Sequence, residues 1–451
     1  MMPRDPGARG PRQRGPREPR AFPLEALAAF VIALGLRAGY SALALGPHPV
    51  PSSDALSYDT AAWNLARGAG FALDGAHGPY ATAFVPPAVP WLTSLLYRIA
   101  GHDFPAALFM QCVIGALVPL LLAALARATV GSSVARIAMW LAVLHPLLVF
   151  FSGYLLTETT FCAILLLALL ASVEWLKTPR RSRALGAGLL WGAAALTRPT
   201  ALPLPLLVAA WAWFPLGLTT GAAERARQLA MLALGVALVV APWTMRNASA
   251  MHAFVLITTG GGRSLLDANN PVVWSDPATR GGATSVYHLE PYATQFQGLS
   301  ETQIDARSGA MAREYLLKHV SEWPAMAIAK LARFWRLTSE GGGTGRWASG
   351  NSPLVAVLRV LDPLLVWSVL TMPLALYGIW VALRGPRGLF QSLPVLVIFT
   401  FTAGAMVYWG SLRLRVPGEP LVVLYAAIGA DALLKRWRVR RSGMKLVEGR
   451  G

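Results

Sequence analysis

Apolar runs long enough to cross a lipid bilayer decide most of what this chain can become. About 20 apolar residues in a helix span the hydrocarbon core, and such a segment must satisfy its own backbone hydrogen bonds. Runs of this kind recur at 23–45, 106–126, 135–153, 159–176, 184–197, 199–218, 228–245, 361–383, 391–410 and 416–434. The predicted class is an all-α integral membrane protein with about ten transmembrane helices. Composition agrees: 55% of the 451 residues are hydrophobic and 14% charged, where a soluble chain carries about a quarter. One ambiguity stays open at 184–218, because Trp191 to Leu218 also reads as a single kinked helix, and that would reverse the sidedness of everything after it.

A formal charge of +18 would suggest a nucleic-acid partner in a soluble protein. Here the basic residues crowd segment ends and both tails, which is a topology signal, and no nucleic acid is expected. Arg127 with Arg136, then Lys177, Arg180, Arg181 and Arg183, then Arg225 with Arg227 fill alternate connections, all cytoplasmic if the count starts from the basic N-terminus. The predicted layout is a disordered basic tail at 1–22 with no cleavage site, and a core at 23–245 whose first outer loop is 46–105. An external region at 246–359 follows, with a membrane-surface helix at 322–337; spans at 360–434 and a basic tail at 435–451 complete the chain. Both termini are then cytoplasmic in the inner (plasma) membrane. Cys112 and Cys162 sit in apolar runs as buried hydrophobes, without partners for a disulfide or a metal.

The informative charges are those that break this pattern. Arg198, Arg246, Arg263, Arg413 and Arg415 fall at the outer face, where arginine is not expected unless something anionic sits there. A guanidinium fork suits the phosphate of a lipid. Snorkelling, or pairing with the few outer carboxylates, is the plainer alternative. Two acids accompany them. Asp54 follows Ser52 and Ser53 in the first turn of an expected amphipathic helix, with Tyr58 four residues on along the same face; Asp59 is expected to turn toward water. Glu158, in Thr157-Glu158-Thr159-Thr160, opens an apolar span, where an ionisable group is a functional candidate by default. His288 and Glu290 are the one close His/acid pair, two apart, so a divalent metal is possible but not indicated.

Taken together these segments resemble a bacterial GT-C glycosyltransferase of the family 39 type, related to protein O-mannosyltransferases and lipid A aminoarabinose transferases. The resemblance covers about residues 25 to 435. It rests on Asp54, Tyr58, Asp59, Gly68, Gly70 and Phe71 in the first outer loop, the Pro86-Pro87 element, Thr157-Glu158, Leu196-Thr197-Arg198-Pro199 and Pro242-Trp243 with Arg246-Asn247. Gly261-Gly262, Asn269-Asn270-Pro271 and Leu412-Arg413-Leu414-Arg415 with Pro417 continue it. The likeness implies a GT-C bundle with amphipathic juxtamembrane helices in the first outer loop and a larger outer loop after the seventh span. It implies a catalytic pair, Asp54 as base and Glu158 as second acid, with Tyr58, Arg198, Arg246, Asn247, Arg413 and Arg415 binding substrate. A polyprenyl phosphate-linked sugar would be the donor and a lipid, protein or glycan hydroxyl the acceptor, on the outer face. Ala88-Val89 and Phe84 depart from the family pattern near the sugar, so sugar and metal do not carry over.

Two other classes share these features. A transporter or flippase of a lipid-linked sugar would have the spans and outer arginines, but also internal repeats meeting at the midplane. A non-catalytic assembly protein would not require Asp54 and Glu158 to meet. Whether Asp54, Glu158, Arg246 and Arg415 converge in one cavity separates these readings.

Overall fold

The computed structural model describes residues 21–46, 49–337, 362–385 and 388–448. The expected N-terminal tail up to residue 20, and 338–361 of the external region, lie outside the described residues. Helix α1 (Ala21–Leu45) leads into a first loop that holds α2 (Asp54–Ala66), a hairpin of β1 (Ala72–Gly75) and β2 (Gly78–Ala81), and α3 (Ala88–Ala100). The membrane bundle continues with α4 (Phe104–Thr129), α5 (Ser132–Leu144), α6 (Pro146–Ser152), α7 (Thr157–Lys177), α8 (Arg181–Thr197), α9 (Pro203–Gly217) and α10 (Ala222–Met251). The second loop carries α11 (Gly261–Ala268), α12 (Pro271–Ser275), α13 (Tyr292–Phe296), α14 (Glu301–Lys318) and α15 (Trp323–Phe334). After it come α16 (Pro363–Arg384), α17 (Gly388–Val407), the single turn α18 (Leu412–Arg415) and α19 (Glu419–Glu448).

Eight described helices are long and apolar enough to cross a membrane, nine if α5 and α6, bent by 55° at their junction, count as one span. The ambiguous stretch at 184–218 resolves into two helices. Arg198 is extended (φ −146°, ψ 118°) and Pro199 follows it, so the α8 ladder ends there. Helix α8, 17 residues long, runs parallel to α10. Gly188 lies against Leu232 and Gly235, Gly192 against Val236 and Val239, and Arg181 pairs with Glu224 where both helices begin. A Cβ on Gly188 would stand 2.1 Å from the Leu232 carbonyl oxygen, so this close approach needs glycine. Since α8 and α10 start at one level, α9 must return between them, and α8 crosses with them, which brings the crossings among the described residues to nine, or ten if α5 and α6 count as one.

The connections then alternate between two levels. Arg127, Arg136, Lys177, Arg180, Arg181, Arg183, Arg225, Arg227 and Arg384 all fall at the ends away from the two long loops. Ser133 on α5 bonds Asp431 on α19, and Trp140 and Arg136 meet Glu25 on α1, on that same side. The hairpin is the one departure from an all-α expectation among the described residues; it pairs Ala72 with Ala81 through Gly75 with Gly78.

Candidate active site

Four elements deliver four charged side chains to one point at the loop-side ends of the bundle. Asp54 opens α2, Glu158 opens α7, Arg198 closes α8 and Arg413 lies on α18. The Arg413 guanidinium donates through Nη1 to Asp54 and through Nε to Glu158 Oε1 at 2.5 Å. Arg198 Nη1 meets the same Glu158 oxygen at 2.8 Å and the Thr157 hydroxyl at 3.4 Å. Two carboxylates and two arginines leave the group electrically neutral. Glu158 is fully buried, whereas the Asp54 side chain is 48% exposed, so the cluster has a dry floor and a wet rim.

Each acid keeps one oxygen open. Glu158 Oε2 is buried and takes no hydrogen bond among the described residues. Asp54 uses only Oδ2 on Arg413, which leaves Oδ1 for a group arriving from the loop side. Tyr58, on the same face of α2 as Asp54, is buried beside them. Burial pushes its phenol up to about 12, against the pull of Arg413. Ser53 holds the position before α2, and with φ at 53° its side chain makes no capping bond.

Asp59 does not turn toward water. It is 3% exposed, accepts the Tyr97 hydroxyl at 2.5 Å and pairs with His102 Nε2 at 2.8 Å. Helix α3 packs on this side of α2, so a residue pointing away from Asp54 still meets protein. Trp63 stacks on His102 at 4.8 Å and completes the clasp.

The other sequence candidates stand elsewhere. Arg246 donates to the Phe71 carbonyl at 2.5 Å and the Thr82 carbonyl at 2.6 Å, with its guanidinium over the Phe71 and Trp243 rings. Asn247 donates to the carbonyls of Val255 and Ile257, and Trp243 Nε1 also reaches Ile257. The Pro242-Trp243 and Arg246-Asn247 pairs therefore staple both loops to the end of α10. Arg415 is 2% exposed and paired with Glu419, which also takes His145 Nε2 at 2.9 Å. Arg413 and Arg415 diverge because residues two apart in a helical turn point about 200° apart. Asp54 and Glu158 thus converge, while Arg246 and Arg415 do not join them.

The motifs after α10 have structural roles of the same kind. A Cβ on Gly262 would stand 2.0 Å from the Asp305 carbonyl oxygen, and the Asp305 carboxylate takes the N–H groups of Gly262 and Arg263. Arg263 lies over the rings of Phe84 and Tyr287. Asn270 caps α12, and Asn269 accepts Lys330 Nζ at 2.8 Å. Burial lowers the Lys330 ammonium to about 8. Glu290 accepts the Thr294 hydroxyl, and among the described residues no three His, Cys, Asp or Glu side chains stand together as an ion site. Asp54 and Glu158 share a guanidinium instead of facing each other across an open gap.

Residues 85–246 match the profile of the dolichyl-phosphate-mannose-protein mannosyltransferase family. No curated protein sequence matches the chain. The archaeal oligosaccharyltransferase AglB from Archaeoglobus fulgidus, solved with an inhibitory peptide and a dolichol-phosphate, is similar with a TM-score of 0.57 and 14% identity, over 94% of this chain and 51% of its own. The same enzyme tethered to an acceptor peptide containing the NVT sequon gives 0.56 and 13%, over 94% and 51%. ArnT from Cupriavidus metallidurans bound to undecaprenyl phosphate gives 0.44 and 15%, over 91% and 77%. The chain spans about half the length of the oligosaccharyltransferase. A helical bundle that follows that enzyme over nearly all of this chain, with at least eight helices among the described residues long and apolar enough to cross a membrane, makes this a multi-pass membrane protein of the GT-C glycosyltransferase fold.

Proposed function

We propose that this protein is a membrane glycosyltransferase that moves one sugar from a polyprenyl phosphate donor to an acceptor hydroxyl, with Asp54 as general base. The observation that carries the reading is the half-exposed Asp54 carboxyl, held at Oδ2 by Arg413 and open at Oδ1, above the buried Glu158 and Arg198. An acceptor hydroxyl at Oδ1 gives up its proton to Asp54 as its oxygen bonds to the anomeric carbon. The bond from that carbon to the phosphate oxygen breaks with its electron pair, and the polyprenyl phosphate leaves with inverted configuration at carbon. Arg413 and Arg198 offer fixed cations to the charge that develops on the leaving oxygen. Glu158 balances those cations and fixes their direction, which accounts for a carboxylate without solvent in the floor of the site.

The mannosyltransferase profile and the dolichol-phosphate named with the similar oligosaccharyltransferase structure support a lipid-linked donor in general terms. We place the site on the outer face of the inner membrane with both termini in the cytoplasm, because the basic connections gather at the opposite level. Transfer of labelled sugar from polyprenyl phosphate-sugars to an envelope lipid and glycan extract, by purified protein in detergent, tests the reading. Sugar bound to the acceptor and released polyprenyl phosphate in equal amounts are expected. Donor movement across vesicles with no new glycosidic bond would establish the flippase alternative.

A further inference from the structure

We propose that His145, Glu419 and Arg415 form a buried positioning relay that sets where Arg413 stands, so that His145 tunes the acidic site without touching it. The proposal rests on the reading of that site given above.

The relay starts at a break in the bundle. Pro146 has no N–H to give the carbonyl of Ala142, and the 55° bend between α5 and α6 parts Val143 from its partner as well. Open carbonyls inside a bilayer must find donors. Arg37 of α1, fully buried, supplies them: Nη2 reaches the Ala142 carbonyl at 3.3 Å and Nη1 the Val143 carbonyl at 3.4 Å. His145 sits in the break, with no exposed surface, and its Nε2 points at Glu419. Trp367 meets the ring edge-on at 5.0 Å and closes its other side.

Glu419 carries the constraint onward. One carboxylate oxygen holds His145 and the other holds Arg415. Arg415 is the last residue of α18, the one turn that bears Arg413, and that turn is capped by Ser411 and followed by the Val416–Gly418 turn. The turn runs on into α19 through the 3₁₀ turn Val416–Gly418, which interrupts the α-helical ladder between them. Across that interruption its orientation is held by its side chains as well: Arg413 on the acids and, about 200° around, Arg415 on Glu419 of α19. Rotation of the turn that loosened Arg415 would swing Arg413 off Asp54 and Glu158. His145 limits that rotation by fixing the Glu419 carboxylate.

Binding of undecaprenyl phosphate to the purified full chain tests this without requiring sugar transfer. Arg413→Ala should lose binding outright. His145→Leu, which removes the bond to Glu419 but leaves Arg415 its counter-ion, should weaken binding by about threefold to thirtyfold. His145→Gln, whose amide can replace the Nε2 donor, should bind within twofold of wild type. If the Leu variant does not fold, His145→Asn, too short to reach the carboxylate, is read in its place. Folded Leu or Asn variants that bind like wild type while Arg413→Ala does not would overturn the relay. So would a Gln variant as weak as Leu, or a lowered unfolding temperature with unchanged affinity. Unaltered binding by Arg413→Ala would instead remove the reading of the site on which the relay rests.

Discussion

Asp54 and Glu158 share one guanidinium, that of Arg413, although one acid stands at the wet rim and the other in the dry floor. The same arginine is therefore coupled to two carboxylates of different cost. An ion pair at an exposed carboxyl contributes about 0–1 kcal/mol, whereas unpairing a buried charge costs about 3–5 kcal/mol. Substitutions at the two acids should for that reason separate chemistry from folding.

Asp54→Asn removes the base and keeps the size of the side chain. The variant should fold, bind donor lipid, and lose transfer by about 10²–10⁴-fold. Retention of more than about a tenth of wild-type turnover would withdraw Asp54 as base. Asp59→Asn should show the converse. Its carboxylate holds Tyr97 and His102 in a buried clasp, and hydrogen bonds to a charged group are worth about 1.5–3 kcal/mol. A lowered unfolding temperature with turnover near wild type is expected, and equal losses of turnover in both variants would contradict the division.

Glu158→Gln leaves Arg198 and Arg413 facing each other with only Asp54 to balance them. The single variant should be destabilised by about 3–5 kcal/mol, seen as poor yield or a low unfolding temperature. Pairing it with Arg198→Gln removes the surplus cation, and the double variant should be more stable than the sum of the singles by about 1 kcal/mol or more. Additive effects would mean that the two side chains do not interact.

How much of this was legible in the sequence differs from residue to residue. The spans were legible because lipid admits few backbone solutions, and the bend at Pro146 and the break at Pro199 fall where proline puts them. Asp54 and Glu158 stood out because a carboxylate beside apolar segments needs a reason. Their joint partner did not, since Asp54 and Arg413 meet only once α2 and α18 are packed together. In the sequence Arg415 reads with Arg413 as an outer cation, although Glu419 four residues later offers it a partner on the side of the turn away from Arg413. Asp59 reads as solvent-facing from α2 alone, because the pattern of one helix carries no sign of α3 packed against it. The hairpin at 72–81 is silent in the sequence because four-residue strands are too short to show a periodic signal.

Cysteine labelling from outside the cell tests the sidedness. The native Cys112 and Cys162 are buried, so the background is silent. Ser132 and Ser182 are exposed at the level of the basic connections, and Ala278 is exposed on the loop side. Gly281 is a poor position for a probe, since a Cβ there would press on the Ala329 backbone at 2.7 Å. An impermeant thiol reagent should label Ala278→Cys in intact cells, and Ser132→Cys and Ser182→Cys only after lysis. Labelling of both serine-derived sites in intact cells would invert the topology.

Asp267 offers a test by pH. It lies on α11 outside the spans, and burial raises its carboxyl from 3.8 to about 7, against the pull of Arg263 and the Val286 N–H. Its Oδ1 takes no hydrogen bond among the described residues. Between those two values the folded chain keeps a proton that the unfolded chain has released. The unfolded state then binds fewer protons, so stability falls as pH rises from about 4 to about 7, and the cost of the buried charge is fully present above that window. Asparagine is neutral at every pH and escapes this cost. Asp267→Asn should raise the unfolding temperature at pH 8 by about 1 °C for each kcal/mol recovered, and should change it little at pH 4.5. A difference between variant and wild type that is the same at both pH values would show that the folded protein does not hold Asp267 protonated.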